Sequence, residues 1–317
     1  MKLFLHIGMQ KAGSKAIQRF FVNNEAAFAD RGIDSPLSLR DRVWSKSFFM
    51  SYDDVFDEAL RRESEKSENI FLSYEEAYTI NSDTIKRMAS HSSDVKVLFL
   101  ARNPVSWTNS FLNQIIKSHR GDCGLVLNFN VKSPVFQKKL RIDSQLEKWA
   151  DIVGKDAISV REYVPGCDAV QEFADWIDLD DAFMQSAVFS QENPNMAADM
   201  ASIRIMIEVK KIVGNNIDER VMAMKVAHKE LKSRWIDTRE KSASFLLSDL
   251  QISQIKDEYG ENYNNALREF GGHEPTGWPQ SGRGGVEDIA EALKATEEEK
   301  AEAQSIVRKA RRRISQA

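Results

Sequence analysis

HIGMQKAGSKA, residues 6–16, follows a short apolar run and opens a helical pattern. Two glycines, Gly8 and Gly13, allow the backbone to turn sharply and to approach a ligand closely. The free N–H groups and the dipole of the helix start favour an anion at this point. Lys11 and Lys15 add two full positive charges. The stretch therefore predicts a phosphate-binding loop between a strand and a helix.

The length and charge of the chain restrict its function. With 317 residues it can bury a large core, either as one α/β domain with additions or as two small domains. A formal net charge of −4, with 29% charged residues, provides no general basic field of the kind that nucleic-acid-binding proteins carry. We expect no nucleic-acid partner, and an anionic ligand must be held by a local site.

Cysteine usage and hydrophobicity predict the compartment. Cys123 and Cys167 form no C-x-x-C pair, and a chain of this size needs no disulfide. The apolar run of residues 1–7 is interrupted by His6 and Gly8 before the hydrophobic region of a signal peptide would be complete. No later stretch is long enough to span a membrane. We expect a cytoplasmic protein, with peripheral membrane association left open.

Short apolar runs predict the strands of a central parallel sheet in an α/β fold. They are residues 2–7, 70–73, 95–101 and 157–161. Polar residues follow two of them directly, namely Glu75 with Glu76, and Arg102. Because α/β proteins place their chemistry at the carboxyl ends of parallel strands, we expect these side chains to meet the phosphate-binding loop.

Helical patterns occupy most of the remaining sequence. Ser14 is a candidate N-cap for a helix that reaches Phe28, and Asn103 with Pro104 starts another that runs to Gly121. Further helices are predicted over residues 141–153, 170–179, 196–213 and 247–270, so the C-terminal half is helix-rich. Residues 121–139 have no sustained period and are interpreted as a loop or flap. Residues 40–68 form an insertion that serves either packing or one wall of an acceptor cleft.

The end of the chain differs in composition. Glycine and proline are concentrated in residues 271–285, which predicts a linker. Residues 286–317 predict a charged helix, acidic early and basic at Arg311 to Arg313, an order that suits the helix dipole. A solvated or partner-packed helix is the simplest interpretation, with a contact to an anionic surface and a homo-oligomer through this helix as open alternatives. We thus expect an α/β domain over residues 1–270.

The loop is close to the nucleotide-triphosphatase motif G-x-x-x-x-G-K-(S/T), but Ser14 and Lys15 stand in the inverted order. In those enzymes the hydroxyl after the lysine ligates Mg²⁺, and an aspartate at a strand end supports the metal. Here the strand ends offer Glu75 and Arg102 instead. A metal-free site for a phosphate ester is the better inference. A P-loop kinase or nucleotidase that uses ATP and Mg²⁺ is the alternative.

Three segments together resemble the sulfotransferases that use 3′-phosphoadenosine 5′-phosphosulfate (PAPS), in particular their bacterial, carbohydrate-type branch. Residues 6–18 resemble the 5′-phosphosulfate loop H-(I/V)-G-x-x-K-T-G-(S/T)-(S/T)-x-(I/L)-Q, with Ala12 and Lys15 in place of hydroxyl residues. Residues 102–110 resemble the 3′-phosphate element R-x-P-x-x-x-x-x-S. Residues 73–75 resemble the S-x-E that supplies the catalytic base. The resemblance extends over roughly residues 2–270 and implies a three-layer α/β/α, P-loop-like fold.

The resemblance also implies a reaction and a set of site residues. A sulfuryl group would pass from PAPS to a hydroxyl of an acceptor, most often a saccharide, with PAP as product and without a metal. Glu75 would be the general base, with Glu76 as the second candidate, and Lys11 would stabilise the leaving group. The residues implied to bind the donor are Gln10, Lys11, Ala12, Gly13, Ser14, Lys15, Ala16, Arg102 and Ser110. A non-catalytic member of the fold that acts as an interaction module is a further alternative.

Overall fold

The computed structural model of the protein describes residues 1–39, 54–164, 167–189, 196–237, 246–279 and 289–316. The chain divides into two compact units. The first comprises Met1–Pro104, Pro134–Glu192 and Tyr259–Gly277, and the second comprises Val105–Ser133, Asn193–Glu258 and Trp278–Ala317. All the strands predicted from the sequence lie in the first unit.

A five-stranded parallel sheet organises the first unit. Its strands are β1 (Lys2–His6), β2 (Ile33–Asp34), β3 (Asn69–Ser73), β4 (Asp94–Arg102) and β5 (Ile158–Tyr163), in the spatial order β2-β3-β1-β4-β5. The four predicted strands and the α/β class are confirmed. β2 was not predicted because two residues carry no periodicity. In the second unit, β6 (Met196–Ala197) and β7 (Ile236–Asp237) pair antiparallel.

Helices cover the sheet and build the second unit. In chain order they are α1 (Ser14–Asn23), α2 (Glu25–Ala29), α3 (Asp54–Ser64), α4 (Ser82–Ala89), α5 (Pro104–Lys117), α6 (Cys123–Leu127), α7 (Pro134–Leu140), α8 (Ile142–Val153), α9 (Ala169–Trp176), α10 (Asp181–Ser186), α11 (Met200–Val213), α12 (Ile217–Leu231), α13 (Asp249–Ala266), α14 (Ile289–Ala292) and α15 (Glu297–Ile314). The helix-rich C-terminal half is confirmed.

Both faces of the sheet are buried in the core of the first unit. Five consecutive residues of β4, from Val97 to Ala101, are fully buried, which requires cover on both faces. One face packs against phenylalanines of the surrounding helices, including stacked Phe21 and Phe28 with ring centroids 4.4 Å apart. Burying each such ring stabilises the fold by about 1.5–3 kcal/mol. The predicted three-layer arrangement follows from this two-sided burial.

Unequal strand lengths create a recess at the carboxyl edge of the sheet. His6, the last residue of β1, pairs with Ser73 of β3 and Leu98 of β4, whereas β4 continues to Arg102. The chain after β1 fills the recess, since the Ile7 N–H donates to the Leu98 carbonyl at 2.9 Å. The strand lengths therefore place the phosphate-binding loop against the end of β4.

Several helix boundaries differ from the sequence prediction. The helix after the loop stops at Asn23 and α2 is a separate short helix, while α5 ends at Lys117 rather than at Gly121. The predicted flap 121–139 contains α6 and most of α7. These helices have five and seven residues, which is too short for a period to be recognised.

The charged segment at the end of the chain forms two helices rather than one. α15 begins with a capping box between Thr296 and Glu299, and its apolar side is buried in the second unit. Glu299 also accepts a hydrogen bond from Arg204 of α11 at 2.7 Å. The acidic start and basic end of α15 agree with the predicted charge order. A contact of this helix with a second chain stays a prediction.

Candidate active site

The loop between β1 and α1 has the backbone of an anion-binding turn. Lys11 and Gly13 both adopt left-handed conformations, with φ of 67° and 87°. Gly13 is the N-cap of α1, so the prediction of Ser14 as N-cap is wrong by one residue. Ser14 is the first helical residue, and its buried Oγ has no partner among the described residues. A hydroxyl donor is therefore available at the helix start.

The first turn of α1 favours a negatively charged ligand. It contains no acidic residue, no side chain caps it, and Lys15 lies exposed within it. A lysine at this position is unfavourable for an isolated helix, because the N-terminus already carries a partial positive charge. A bound anion would relieve that repulsion. Buried Gln10 Oε1 also has no partner in the described part of the chain, while Ala12 is fully buried in the loop.

Gly13 is required for packing as well as for its backbone angle. A Cβ atom added to Gly13 would lie 2.3 Å from Cβ of Ala169 and 3.2 Å from Cε2 of Tyr163. Ala169 is the first residue of α9, where the Asp168 side chain accepts a hydrogen bond from Val170 N–H at 2.9 Å. The loop thus lies directly against the start of α9 and the end of β5.

A buried polar network supports the loop from below. His6 Nδ1 and Ser73 Oγ are 2.8 Å apart, and Gln18 Nε2 donates to the same hydroxyl at 3.1 Å. Complete burial lowers the pKa of His6 to about 3, so its imidazole is neutral at physiological pH. A Cβ atom on Gly8 would lie 2.8 Å from His6 Nε2. The histidine is therefore a neutral side chain packed beneath the loop.

The segment after β3 runs along the phosphate-binding loop. The Tyr74 N–H donates to the His6 carbonyl at 2.8 Å, and the Glu76 N–H donates to the Gly8 carbonyl at 3.1 Å. Between them, the Glu75 carboxylate accepts no hydrogen bond from any described residue. Glu76 instead forms an ion pair with Lys139 of α7. Both predicted base candidates therefore lie at the loop, in different electrostatic situations.

Burial and the neighbouring lysines shift the pKa of Glu75 in opposite directions. Burial raises the pKa of this carboxyl, Lys11 and Lys15 lower it, Glu76 raises it and Lys139 lowers it, and the net shift is upward. A partly buried carboxylate with a raised pKa has more driving force to accept a proton than an exposed one. The structure thus brings Glu75 together with both loop lysines.

Arg102 joins the end of β4 to the loop. Its Nη1 donates to the Lys11 carbonyl at 2.7 Å, and the guanidinium lies 5.9 Å from the Tyr163 ring centroid. Burial lowers its pKa, but a guanidinium stays charged at physiological pH. No other partner for its remaining N–H groups exists among the described residues. Ser110 lies on α5 in the second unit, and its part in the site stays a prediction.

The first residues of the predicted linker lie at the same edge of the sheet. Glu162 of β5 accepts hydrogen bonds from Tyr263 Oη at 2.7 Å and from the Thr276 N–H at 2.8 Å. Asn103 Nδ2 donates to the Gly277 carbonyl at 3.3 Å. The described part of this segment is therefore anchored to the ends of β4 and β5. Residues 280–285 of the predicted linker lie outside the described residues.

Sequence reasoning missed some residues that shape the site. Lys139 lay in a stretch interpreted as a flap, and nothing in the sequence pairs it with Glu76. Tyr163 and Ala169 are ordinary strand and helix residues whose contact with Gly13 is visible only in three dimensions. The helix predicted over residues 170–179 corresponds to α9, but nothing in the sequence indicates that its first residue lies against Gly13.

The described residues form neither a metal-binding cluster nor a membrane-spanning helix. Within the part of the chain that the structure describes, no three His, Cys, Asp or Glu side chains are grouped closely enough to hold a metal ion. The helices of the described ranges include none with the length and apolarity needed to cross a bilayer.

Comparisons with known proteins give a structural similarity but no sequence match. No protein-family model matches the chain, and no curated protein matches its sequence significantly. Among solved structures, a sulfotransferase from Alicyclobacillus acidocaldarius is similar with a TM-score of 0.41 and 13% sequence identity. The alignment covers 75% of this chain and 98% of that chain.

Proposed function

We propose that this protein is a sulfotransferase that moves a sulfuryl group from PAPS to an acceptor hydroxyl, with PAP as product. The observation that carries the proposal is the meeting of three distant segments at one edge of the sheet. Glu75 lies within the electrostatic influence of Lys11 and Lys15, and Arg102 donates to the Lys11 carbonyl. These are the segments whose sequences resemble the donor loop, the base and the 3′-phosphate element of that family.

The residues at the loop fit a donor with two separate anionic groups. Lys11, the Ser14 hydroxyl and the first N–H groups of α1 would hold the 5′-phosphosulfate. The remaining N–H groups of Arg102 would bind the 3′-phosphate in the forked manner that guanidinium groups favour. When bound, PAPS supplies the sulfuryl group and a good leaving group.

Two side chains of this chain would act on the reaction. A Glu75 oxygen would accept the proton of the acceptor hydroxyl, a role that typically contributes about 10²–10⁴ in rate. Lys11 would stabilise the negative charge that develops on the leaving oxygen, and loss of such a donor costs on the order of 10²–10³. Glu76 is the weaker candidate for the base because Lys139 already neutralises it.

The acceptor class rests on the resemblance alone. We propose a saccharide hydroxyl, a reaction that needs no metal, and a cytoplasmic location. Residues 40–53, which belong to the insertion predicted to serve either packing or one wall of an acceptor cleft, lie outside the described residues.

Calorimetric binding of PAP, AMP and ATP with Mg²⁺ tests the donor site. We expect PAP to bind at least about tenfold more tightly than AMP, since one charge-assisted hydrogen bond contributes about 1.5–3 kcal/mol. Arg102→Ala should remove this preference. Arg161→Ala is a matched control, because Arg161 lies on the neighbouring strand and pairs with Glu172 at 3.9 Å. Equal affinity for PAP and AMP, unchanged in Arg102→Ala, contradicts the proposal.

Transfer from labelled PAPS to a panel of saccharides tests the reaction. We expect Glu75→Gln to lose at least about 10² in rate while it retains PAP binding. PAP binding without transfer to any member of the panel would support the non-catalytic alternative. Turnover of ATP with Mg²⁺ would support the kinase or nucleotidase.

A further inference from the structure

Glu76 has an unusual backbone conformation beside the proposed base. Its φ of 80° lies in the left-handed region, which residues other than glycine rarely adopt. Such a conformation persists when the surrounding structure imposes it, and it is frequent at functional sites. The Glu76 N–H donates to the Gly8 carbonyl at 3.1 Å, and Thr79 Oγ1 donates to the Glu76 carbonyl at 2.9 Å. The backbone of Glu76 is thus held from both sides.

Lys139 attaches α7 to the same segment in two ways. Its ammonium forms an ion pair with the Glu76 carboxylate, and only 15% of the Lys139 side chain is exposed. Its backbone carbonyl accepts a hydrogen bond from Tyr78 Oη at 3.0 Å. Tyr78 is itself buried. Both ends of Lys139 are therefore fixed on residues 76–78, immediately after Glu75.

We propose that the ion pair between Glu76 and Lys139 is a positioning device that fixes the place and the electrostatic surroundings of Glu75 beside the phosphate-binding loop. The inference rests on the proposed function in one respect only, the role of Glu75 as general base. Glu75 has no hydrogen bond to a described residue, so its place depends on the backbone on either side of it. The N–H groups of Tyr74 and Glu76 fix that backbone to the loop.

The charges that face Glu75 allow the role of the Glu76–Lys139 ion pair to be tested by titration of Glu75. They are Lys11 of the loop, Lys15 of α1, Glu76 of its own segment and Lys139 of α7. Loss of the Lys139 charge leaves two carboxylates side by side, which raises the pKa of Glu75. Loss of the Glu76 charge leaves Lys139 unopposed, which lowers it. An ion pair that only held the backbone, without facing the Glu75 carboxylate, would not shift the pKa of Glu75 in opposite directions when one or the other charge is removed.

Direct titration of Glu75 separates this inference from the proposed function. We would follow the side-chain carboxyl of Glu75 by ¹³C NMR in the full-length protein without substrates, with Glu75→Gln to assign the signal. Lys139→Met should move the titration to higher pH, Glu76→Gln to lower pH, and the double variant should lie between them. Lys138→Met is the matched control, because Lys138 is an exposed neighbour on α7, and it should leave the titration in place.

Kinetics provide the second measurement. Each single variant should lower kcat by about 10- to 100-fold with unchanged PAP affinity, since a misplaced catalytic group costs about this much. The acid limb of the kcat/KM profile should move in the same directions as the NMR titration. Lys139→Arg keeps the charge and should restore most of the rate, even if Lys139→Met folds poorly.

The outcomes distinguish the two proposals. Unchanged titration in both single variants, or shifts in the same direction, would overturn the positioning role whether or not the protein transfers sulfuryl groups. A Lys139→Arg variant whose kcat is as low as that of Lys139→Met would also overturn the positioning role. Opposite shifts in a protein that neither binds PAP nor transfers sulfuryl groups would support the positioning role and reject the proposed function.

Discussion

The guanidinium of Arg102 donates a hydrogen bond to the backbone carbonyl of Lys11 at 2.7 Å. Lys11 has a left-handed backbone, with φ of 67°, so the contact accompanies an unusual turn of the loop. The side chain predicted to bind the 3′-phosphate thus also holds the loop predicted to bind the 5′-phosphosulfate. The two halves of the proposed donor site are connected through one arginine.

Arg102→Lys should therefore weaken binding at both ends of the donor. A lysine retains the charge, but its ammonium lacks the forked geometry needed to serve the loop carbonyl and a phosphate together. We expect PAP affinity to fall by about tenfold or more. AMP, which lacks the 3′-phosphate, should also bind less tightly, which calorimetry would show. Unchanged AMP affinity would contradict the connection between the two halves.

Gly13→Ala should disrupt the loop through a specific clash. The new Cβ would lie 2.3 Å from Cβ of Ala169, in addition to the strain of a left-handed residue. We expect a loss of about 2 kcal/mol or more in the free energy of unfolding, and loss of PAP binding.

Gly272→Ala is the matched control for this clash. Gly272 is also left-handed, with φ of 69° and ψ of 20°, but nothing lies within 4 Å of an added Cβ. It should cost only the strain of roughly 1–2 kcal/mol. Ala169→Gly should rescue part of the stability of Gly13→Ala, as measured by urea unfolding. Equal destabilisation by Gly13→Ala and Gly272→Ala, without rescue, would exclude the contact with α9.

The sheet could be predicted because its strands are buried on both faces. Residues 70–72 and 97–101 are continuous apolar runs bounded by polar residues, and their short length and β-branched or aromatic content favour a buried strand over a helix. The carboxyl-edge rule then placed Glu75 and Arg102 near the loop. The same reasoning fails for β2, which has two residues and is defined only by its pairing with β3.

Contacts between distant short elements could not be predicted from the sequence. The pair of Glu76 and Lys139 joins residues 63 positions apart through α7, a helix too short to show a period. The N-cap at Gly13 was missed because serine is the more common capping residue, whereas here packing against Ala169 leaves room only for glycine. In both cases tertiary packing outweighed local preference.

His6 should make the protein sensitive to acid. Its pKa falls from about 6.5 to about 3 on burial, so the unfolded state takes up a proton first as the pH falls. The stability present above pH 6.5 should be lost towards pH 3 at roughly 1.4 kcal/mol per pH unit from this group. His6→Asn should flatten the pH dependence of the unfolding free energy between pH 6 and pH 4. Parallel slopes for the two proteins would contradict a neutral buried His6.

Glu75→Gln should stabilise the protein at neutral pH while it lowers the transfer rate by at least about 10². Burial raises the pKa of Glu75, so the folded state pays for an ionised carboxylate above that pKa, and a neutral amide of the same shape removes this cost. The stabilisation should be present at pH 7.5 and shrink at pH 4.5, because the carboxyl becomes protonated and neutral as the pH falls. Urea unfolding at both pH values measures this difference.

Glu147→Gln is the control for this substitution, since Glu147 is exposed on α8 in the same unit. It should change the unfolding free energy by no more than about 0.5 kcal/mol at either pH. A Glu75→Gln variant that is less stable than the wild type at pH 7.5 would mean that the attraction of Lys11 and Lys15 outweighs burial. Glu75 would then be held as a permanent anion, a poor proton acceptor. Glu76→Gln in the transfer assay would then test the second candidate, and a loss well beyond the roughly 10- to 100-fold expected from positioning would identify Glu76 as the base.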